Sequence, residues 1–462
     1  MPMRDPDFLS ELLQAIAGRG RRLFGSNGVG REGSTSQELA DALLSTRGEA
    51  SGVVLARAVL DRWTGLDAEG QRRWFAMLAE DFGPDLERLR RAVAAWSENP
   101  THGNAVKIHE ASEPRRQELF RRINMAPGGT AALVKMRERL LGELEQHAAL
   151  EPVDADFCHL FGSWFNPGFL MLKRIDWSSP ADVLEKIIRY EAVHAIRNWN
   201  DLRGRLQPAD RRCFAFFHPR MPDEPLVFVE VALTRGIPNG IAGLIEEGRT
   251  PIPDDAADSA IFYSISNTQT GLKGISFGNF LIKQVVEELL RELPNLKTFA
   301  TLSPLPGFAR WLANCEERPE FADLRTALAV EGWDGDAELQ TVLREPLDHA
   351  VAVYLLGARA RNGKPHDAVA RFHLNNGARL ERINFCGDLS AKGLAQSHGV
   401  MVNYLYDLDA IEANHERYAN SGEIASSAAI RKLAANPPSA SVLRNLTSLL
   451  SDRQQKHSAP GS

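Results

Sequence analysis

Residues 262–290 read FYSISNTQTGLKGISFGNFLIKQVVEELL, and this stretch decides the fold of the larger part of the chain. It begins as an apolar strand, passes through closely spaced glycines and continues as an amphipathic helix. Glycine lets the backbone approach phosphate oxygens, and the N–H groups and dipole of a helix N-terminus favour negative charge there. The stretch therefore indicates an anion site, although it matches neither a Walker loop nor a dinucleotide fingerprint.

The loop between this strand and this helix supplies the candidate anion contacts. Lys273 can add a positive charge, and Ser276 and Asn279 can donate hydrogen bonds at the start of the helix. The full candidate set is Lys273, Gly274, Ile275, Ser276, Phe277, Gly278 and Asn279. A glycine-rich turn that only joins a strand to a helix explains the same residues equally well, because such loops are weak evidence on their own.

Length and composition set the class of protein. A chain of 462 residues exceeds what one hydrophobic core usually serves, so we expect two domains. The net charge of -6 gives no overall attraction for nucleic acid. Four widely separated cysteines without a CxxC pair argue against structural zinc and against a disulfide scaffold. No apolar run approaches the ~18 residues that span a bilayer, and we read no targeting signal, so we expect a cytoplasmic protein.

The first third of the chain has the apolar spacing of helices. Hydrophobic residues recur at intervals of three and four, with charged residues between them. The predicted helices cover 39–44, 53–63, 72–82, 86–96 and 130–150. This part, residues 1–155, contains no cluster of catalytic side chains, so we interpret it as a helical domain for packing or self-association.

The remainder, residues 156–462, mixes strands and helices. The predicted elements are a strand over 169–172, a helix from an N-cap at Ser179 to Tyr190, strands over 213–217 and 226–233 joined by a turn-rich connection, a strand over 298–302, helical structure over 307–356, and strands near Phe372 and over 380–385. Hairpins among the strands favour an α+β fold with a mostly antiparallel sheet. The polar tail 452–462 is predicted to be disordered.

Two further segments could carry chemistry. In TLSPLPGF (301–308), Ser303 ends a strand and is held by the prolines that follow it, although a simple turn serine fits as well. In RFHLNNG (371–377), His373 lies between two apolar residues of a predicted strand and would face away from them. A histidine in such a position is more often structural than catalytic. No set of His, Asp and Glu residues has the spacing of a metal site.

Four runs in the same order carry a resemblance to a known family. They are CFAFFHPRMPDEPLVFVEVAL (213–233), residues 261–290, TLSPLPGF (301–308) and VARFHLNNGARLERINFCGDLSAKGLAQSHGVMVNYLYDL (369–408). On these runs the chain resembles malonyl-CoA decarboxylase over most of its length after about residue 154. The resemblance implies a helical N-terminal oligomerisation domain, in a dimer or a tetramer, followed by a GNAT-like acyl-CoA-binding domain.

The resemblance also implies an activity and assigns site residues. Malonyl-CoA would lose carbon dioxide to leave acetyl-CoA, with no cofactor and no metal. Residues 273–279 match the segment that binds the CoA phosphates, Ser303 and His373 match the active-site pair, and Tyr406 matches a tyrosine near the pocket. The glycines after Gln269 are spaced differently from the usual GNAT phosphate signature. With an unperturbed pKa of about 6.5, His373 would protonate the carbanion and Ser303 would hold the carboxylate.

Two other functions fit the same residues. A GNAT acyltransferase would move an acyl group from CoA to an amine and use His373 as its base. A non-enzymatic acyl-CoA sensor would bind the thioester without turnover.

Overall fold

The computed structural model describes residues 33–46, 48–275, 277, 281–315, 318–361, 363–439, 441–442 and 444–449. The chain forms two compact units. The first contains the described residues up to Met171, together with Phe216–Leu226 and the described part of 267–278. The second contains Leu172–Ala215, Val227–Ser266 and the described residues from Leu281 onward. Among the described residues, no helix is long and apolar enough to cross a membrane.

The first unit is built mainly of helices. They are α1 (Ser36–Ser45), α2 (Glu49–Thr64), α3 (Ala68–Glu80), α4 (Leu86–Glu98), α5 (His102–Ser112), α6 (Arg115–Met125), α7 (Gly129–Leu141) and α8 (Glu151–Trp164). Each of the predicted helices in this region is present. The one predicted over 130–150 is shorter than expected, because α7 ends at Leu141 and the chain continues as a turn. The packed faces carry apolar residues at helical spacing, as in Leu119, Phe120 and Ile123 of α6.

An eight-stranded sheet forms the core of the rest of the chain. Its strands are β1 (Met171–Ile175), β2 (Arg211–His218), β3 (Met221–Thr234), β4 (Ser259–Asn267), β5 (Thr298–Thr301), β6 (Ser303–Pro304), β7 (Arg379–Asn384) and β8 (Met401–Leu405). The order is β1-β2-β3-β4-β5-β8-β6, and β7 also pairs with β8. Strands β4 and β5 are parallel, whereas β5, β6 and β7 all pair antiparallel with β8. The sheet is therefore mixed.

Further helices lie between the strands along the chain and after the last strand. They are α9 (Ala181–Tyr190), α10 (Trp199–Leu206), α11 (Ala242–Ile245), α12 (Leu281–Glu292), α13 (Phe308–Ala313), α14 (Ala322–Leu328), α15 (Ala337–Gly357), α16 (Ala368–Asn375), α17 (Ala391–Ser397), α18 (Ile411–Ser421) and α19 (Ala428–Ala435). The predicted order of strand, loop and helix after residue 262 is confirmed by β4, a 3₁₀ turn over Thr270–Leu272, and α12.

The strand predicted near Phe372 is wrong, because the segment is helix α16. Asp367 caps its N-terminus by accepting a hydrogen bond from the N–H of Ala370. Ala370, His373 and Leu374 are buried together, and their spacing of three and four residues is that of one helix face. The short apolar run was compatible with either period, and the cap decides for the helix.

Two smaller predictions are also wrong. Helix α9 has Pro180 as its N-cap residue, and the hydroxyl of Ser179 instead accepts a hydrogen bond from the N–H of Asp176 at 3.1 Å. The connection between β2 and β3 is only two residues long, because β3 already begins at Met221.

Candidate active site

Three elements of the second unit bring Ser303, His373 and Tyr406 together. Ser303 lies on the short strand β6, where it pairs with Val402 of β8. His373 projects from α16, and Tyr406 directly follows β8, where its N–H donates to the carbonyl of Phe299 at 2.8 Å. The three side chains come from distant parts of the sequence and meet in one buried cluster.

The cluster is a continuous chain of hydrogen bonds. Tyr406 Oη lies 2.8 Å from His373 Nδ1, and His373 Nε2 lies 3.1 Å from Ser303 Oγ. The hydroxyl of Ser303 donates to Thr301 Oγ1 at 2.8 Å. The ring of Tyr404 stacks on the imidazole, with 4.6 Å between ring centres. Both nitrogens of His373 are therefore engaged, and its ring is held in one orientation.

These contacts determine where the proton of His373 resides. No other described residue bonds the phenol of Tyr406, so its O–H must donate to Nδ1 or stay buried without a partner. With Nδ1 as acceptor, Nε2 carries the proton and donates a hydrogen bond to Ser303 Oγ. The hydroxyl of Ser303 in turn donates a hydrogen bond to Thr301 Oγ1. The opposite tautomer would lose the bond to Thr301 and leave the phenol proton unpaired.

Burial keeps the imidazole of His373 neutral. The side chain is 3% exposed, and desolvation lowers the pKa of His373 to about 3. The expectation of an ordinary pKa, with both forms accessible near neutrality, is therefore wrong. The sequence could not show it, because the desolvation comes from the stacked Tyr404 and from neighbours that are distant along the chain. Burial also raises the pKa of Tyr406 well above its usual value, so the phenol stays protonated.

Three further polar residues support the cluster. Thr301 Oγ1 accepts hydrogen bonds from both Ser303 and the N–H of Tyr404. Asn403 donates to the carbonyl of Thr301 at 2.7 Å, and Asn384 donates to Asn403 at 2.8 Å. Asn384, Asn403 and Thr301 thus form a buried network that fixes the backbone beside Ser303. The position of Thr301, two residues before Ser303, was the available signal for its role.

The predicted anion loop is partly described. Lys273 and Gly274 are exposed, and Ile275 and Phe277 are half-buried. Gly274 has φ +81°, a left-handed conformation that favours glycine. The remaining predicted contacts, Ser276, Gly278 and Asn279, lie outside the described residues.

Comparison with known families now identifies the class to which this fold and site belong. The family description "Malonyl-CoA decarboxylase C-terminal domain" matches residues 168–445, and "Malonyl-CoA decarboxylase N-terminal domain" matches residues 82–165. The chain belongs to the malonyl-CoA decarboxylase family, as its sequence resemblance indicated.

Particular relatives agree with this assignment. The chain is 36% identical over 409 residues to the mitochondrial malonyl-CoA decarboxylase of Anser anser anser, covering 79% of this chain and 80% of the relative. It is 38% identical over 360 residues to the mitochondrial enzyme of Mus musculus, covering 71% and 73%. The crystal structure of malonyl-CoA decarboxylase from Rhodopseudomonas palustris superposes with a TM-score of 0.83 at 55% identity, covering 86% of this chain and 100% of that one. The expected fold class, a helical N-terminal region followed by an α+β domain that contains a sheet and helices, is confirmed.

Proposed function

We propose that this protein is a malonyl-CoA decarboxylase that converts malonyl-CoA to acetyl-CoA and carbon dioxide without a covalent enzyme intermediate. The observation that carries the proposal is the neutral, fully hydrogen-bonded Ser303–His373–Tyr406 cluster in a chain of this family. In the reaction the bond between the carboxylate carbon and the α-carbon breaks. Its electron pair passes to the thioester as an enolate, carbon dioxide leaves, and the α-carbon takes up one proton.

The thioester itself accepts the electrons, so the protein has to supply position and hydrogen bonds. The carboxylate must be held out of the plane of the thioester, because overlap of the breaking bond with the carbonyl π system governs the rate. A donor aimed at the developing enolate oxygen contributes about 3 kcal/mol, which is about a hundredfold in rate.

Ser303 and His373 act in this proposal as neutral donors. The hydroxyl of Ser303 turns from Thr301 to the malonyl carboxylate, while Nε2–H of His373 continues to hold Ser303 Oγ. A thioester enolate is a strong carbon base, so the neutral O–H of Ser303 or N–H of His373 can protonate the α-carbon. The group that gives up its proton then takes one from water, which leaves as hydroxide. An acyl-serine route is disfavoured, because a protonated Nε2 cannot take the proton of Ser303.

The CoA moiety is assigned to the loop over 273–279, of which Lys273 and Gly274 are exposed. Strands β4 and β5 are parallel neighbours, so their carboxyl ends lie at the same edge of the sheet. Ligands of sheets with parallel strands bind at such carboxyl ends, which supports ligand binding by the segment that follows β4.

Assembly, domain roles and location complete the proposal. Helices α4 and α5 leave Leu86, Trp96 and Val106 exposed at 66%, 43% and 54%, which supports self-association of the helical domain 1–155 as a dimer or tetramer. Residues 156–462 would form the GNAT-like catalytic domain. We place the protein in the cytoplasm because none of its four cysteines, all in the described part of the chain, forms a disulfide bond, as in a reducing compartment.

The test is to incubate the purified protein with malonyl-CoA and no acceptor. Equal amounts of acetyl-CoA and carbon dioxide are expected. Carbon dioxide release that depends on an added amine, with acyl-amine as product, would instead favour the acyltransferase. The acyltransferase is disfavoured, because both ring nitrogens of His373 already take part in hydrogen bonds, to Ser303 and to Tyr406, and cannot deprotonate an amine. Tight binding of malonyl-CoA without any turnover would mean a sensor.

A further inference from the structure

A buried arginine of the first unit donates hydrogen bonds to the loop that we assign to CoA. Arg137 of α7 is 2% exposed. Its Nη1 donates to the carbonyls of Gly271 and Lys273, at 2.8 Å each. Its other nitrogens bond Asp154 of α8, with Nε at 2.8 Å, and the sulfur of Cys158 at 3.1 Å. The guanidinium is thus fixed by α8 on one side and holds the loop on the other.

The backbone of α7 packs against the same loop one turn earlier. A Cβ atom on Gly271 would lie 1.9 Å from the carbonyl oxygen of Val134, so only glycine fits there. The loop and α7 therefore touch at two successive points, Gly271 against Val134 and the two loop carbonyls against Arg137. These contacts fix the backbone at Gly271 and Lys273, which sequence spacing could not indicate.

The hydrogen bond from Arg137 to the Lys273 carbonyl sets the direction of the N–H that follows in the chain. In a trans peptide the C=O and the following N–H point in opposite directions, and the described chain has no cis peptide bond. The carbonyl of Lys273 points at Arg137, so the N–H of Gly274 points away from it. Gly274 is exposed, and no described residue accepts a hydrogen bond from its N–H. That N–H is free to bind an anion.

We propose that Arg137 is a positioning residue of the CoA site: it holds the loop so that the Gly274 N–H, beside Lys273, faces the phosphates of the substrate. The inference rests on the proposed function and adds a residue from the helical part of the chain to it. Arg137 does not touch the reacting atoms. Its loss should weaken nucleotide binding and leave the chemical step intact.

The experiment compares Arg137→Gln, Arg137→Lys and a matched control with the wild-type full-length protein. Arg116 is the control, because it is also buried, at 4%, pairs with Asp156 and bonds the carbonyl of Leu78, yet has no contact with the loop. Calorimetric titration with CoA gives Kd. Steady-state kinetics are measured with malonyl-CoA and with malonyl-N-acetylcysteamine, a thioester that lacks the nucleotide and its phosphates.

In Arg137→Gln we expect Kd for CoA and KM for malonyl-CoA to rise about tenfold, the scale of charge-assisted hydrogen bonds, with kcat unchanged. The kcat/KM for malonyl-N-acetylcysteamine should stay at the wild-type value. Arg137→Lys keeps the charge but cannot bond both carbonyls and Asp154, so its Kd and KM should lie between those of the wild type and Arg137→Gln. This variant provides the test if Arg137→Gln does not fold. Arg116→Gln should lose stability and keep its Kd.

Three results would overturn the inference. They are an unchanged Kd in both Arg137 variants, an equal loss of activity on the two thioesters, and a loss of CoA affinity in Arg116→Gln as large as in Arg137→Gln. A wild-type protein that neither binds CoA nor decarboxylates malonyl-CoA would overturn the proposed function itself. That outcome is distinguished because it appears before any substitution is made.

Discussion

The replacement Tyr406→Phe tests the hydrogen-bond chain of the active site directly. It removes one oxygen and preserves the ring, so packing is nearly unchanged. Nδ1 of His373 then loses the donor at 2.8 Å and is left buried without a partner. An unsatisfied buried acceptor costs about 1–3 kcal/mol in the free energy of unfolding. We expect Tyr406→Phe to be destabilised by an amount in this range.

The same change weakens the preference for one tautomer of His373. In the wild type, a proton on Nε2 satisfies both the phenol and the Ser303–Thr301 bond, whereas a proton on Nδ1 satisfies neither. Without the phenol, only the hydrogen bond from Ser303 to Thr301 favours a proton on Nε2 over a proton on Nδ1. A loss of about 1.4 kcal/mol in the positioning of Ser303 corresponds to a tenfold fall in kcat. Binding of CoA, which we assign to the loop over 273–279, should not change.

Two measurements check this. The ¹⁵N spectrum of histidine-labelled protein reports the protonation of each ring nitrogen, and His373→Gln identifies the signal among the 12 histidines. We expect protonated Nε2 and bare Nδ1 in the wild type, unchanged between pH 5 and pH 8, since burial lowers the pKa of His373 to about 3. Steady-state decarboxylation of malonyl-CoA gives kcat. A wild-type signal with the proton on Nδ1, or a titration midpoint near 6.5, would refute the reasoning.

Three further predictions concern activity, acid stability and packing. Ser303→Ala and His373→Ala should each lower kcat about a hundredfold, and the double variant little further, because the two groups act as a unit; additive losses in steady-state assays would separate them. The pKa of His373 falls from 6.5 unfolded to about 3 folded, so its burial costs stability as pH drops through 6.5 toward 3. His373→Gln should therefore lose about 2 kcal/mol less than the wild type between pH 6.5 and pH 5 in denaturant titrations, and equal losses would contradict the assignment. Gly377→Ala should destabilise by about 3 kcal/mol or more, because its Cβ would lie 2.1 Å from the Ile411 carbonyl oxygen, whereas Gly422→Ala shares the left-handed backbone without a contact and should cost about 1 kcal/mol by thermal melting.

The sequence predicts the elements of this fold better than the conformation of short apolar segments. Periodicity indicated five of the eight described helices of the first unit, α1, α2, α3, α4 and α7, and the strands β2 and β3, because each repeats its pattern over several residues. It failed at α16, where the apolar run around Phe372 is short and the deciding signal is the capping carboxylate of Asp367.

The candidate site, like the fold, could be predicted from the sequence only in part. The family resemblance indicated Ser303, His373 and Tyr406, and the structure brings their side chains into contact. The protonation state of His373 could not be predicted, since it depends on burial by residues that are distant in sequence. Arg137 could not be predicted either, because its hydrogen bonds to Gly271 and Lys273 span more than 130 positions of the chain.

The bond from Ser303 to Thr301 has a consequence for product release. In the empty protein this hydroxyl already has a good acceptor, so a ligand benefits from Ser303 only if it offers a stronger one. The carboxylate of malonyl-CoA is such an acceptor, but acetyl-CoA no longer carries it. Once carbon dioxide has left, Ser303 swings back to its threonine neighbour and the acetyl thioester loses that anchor. We therefore expect acetyl-CoA to compete poorly with malonyl-CoA, so that accumulating product scarcely slows the enzyme.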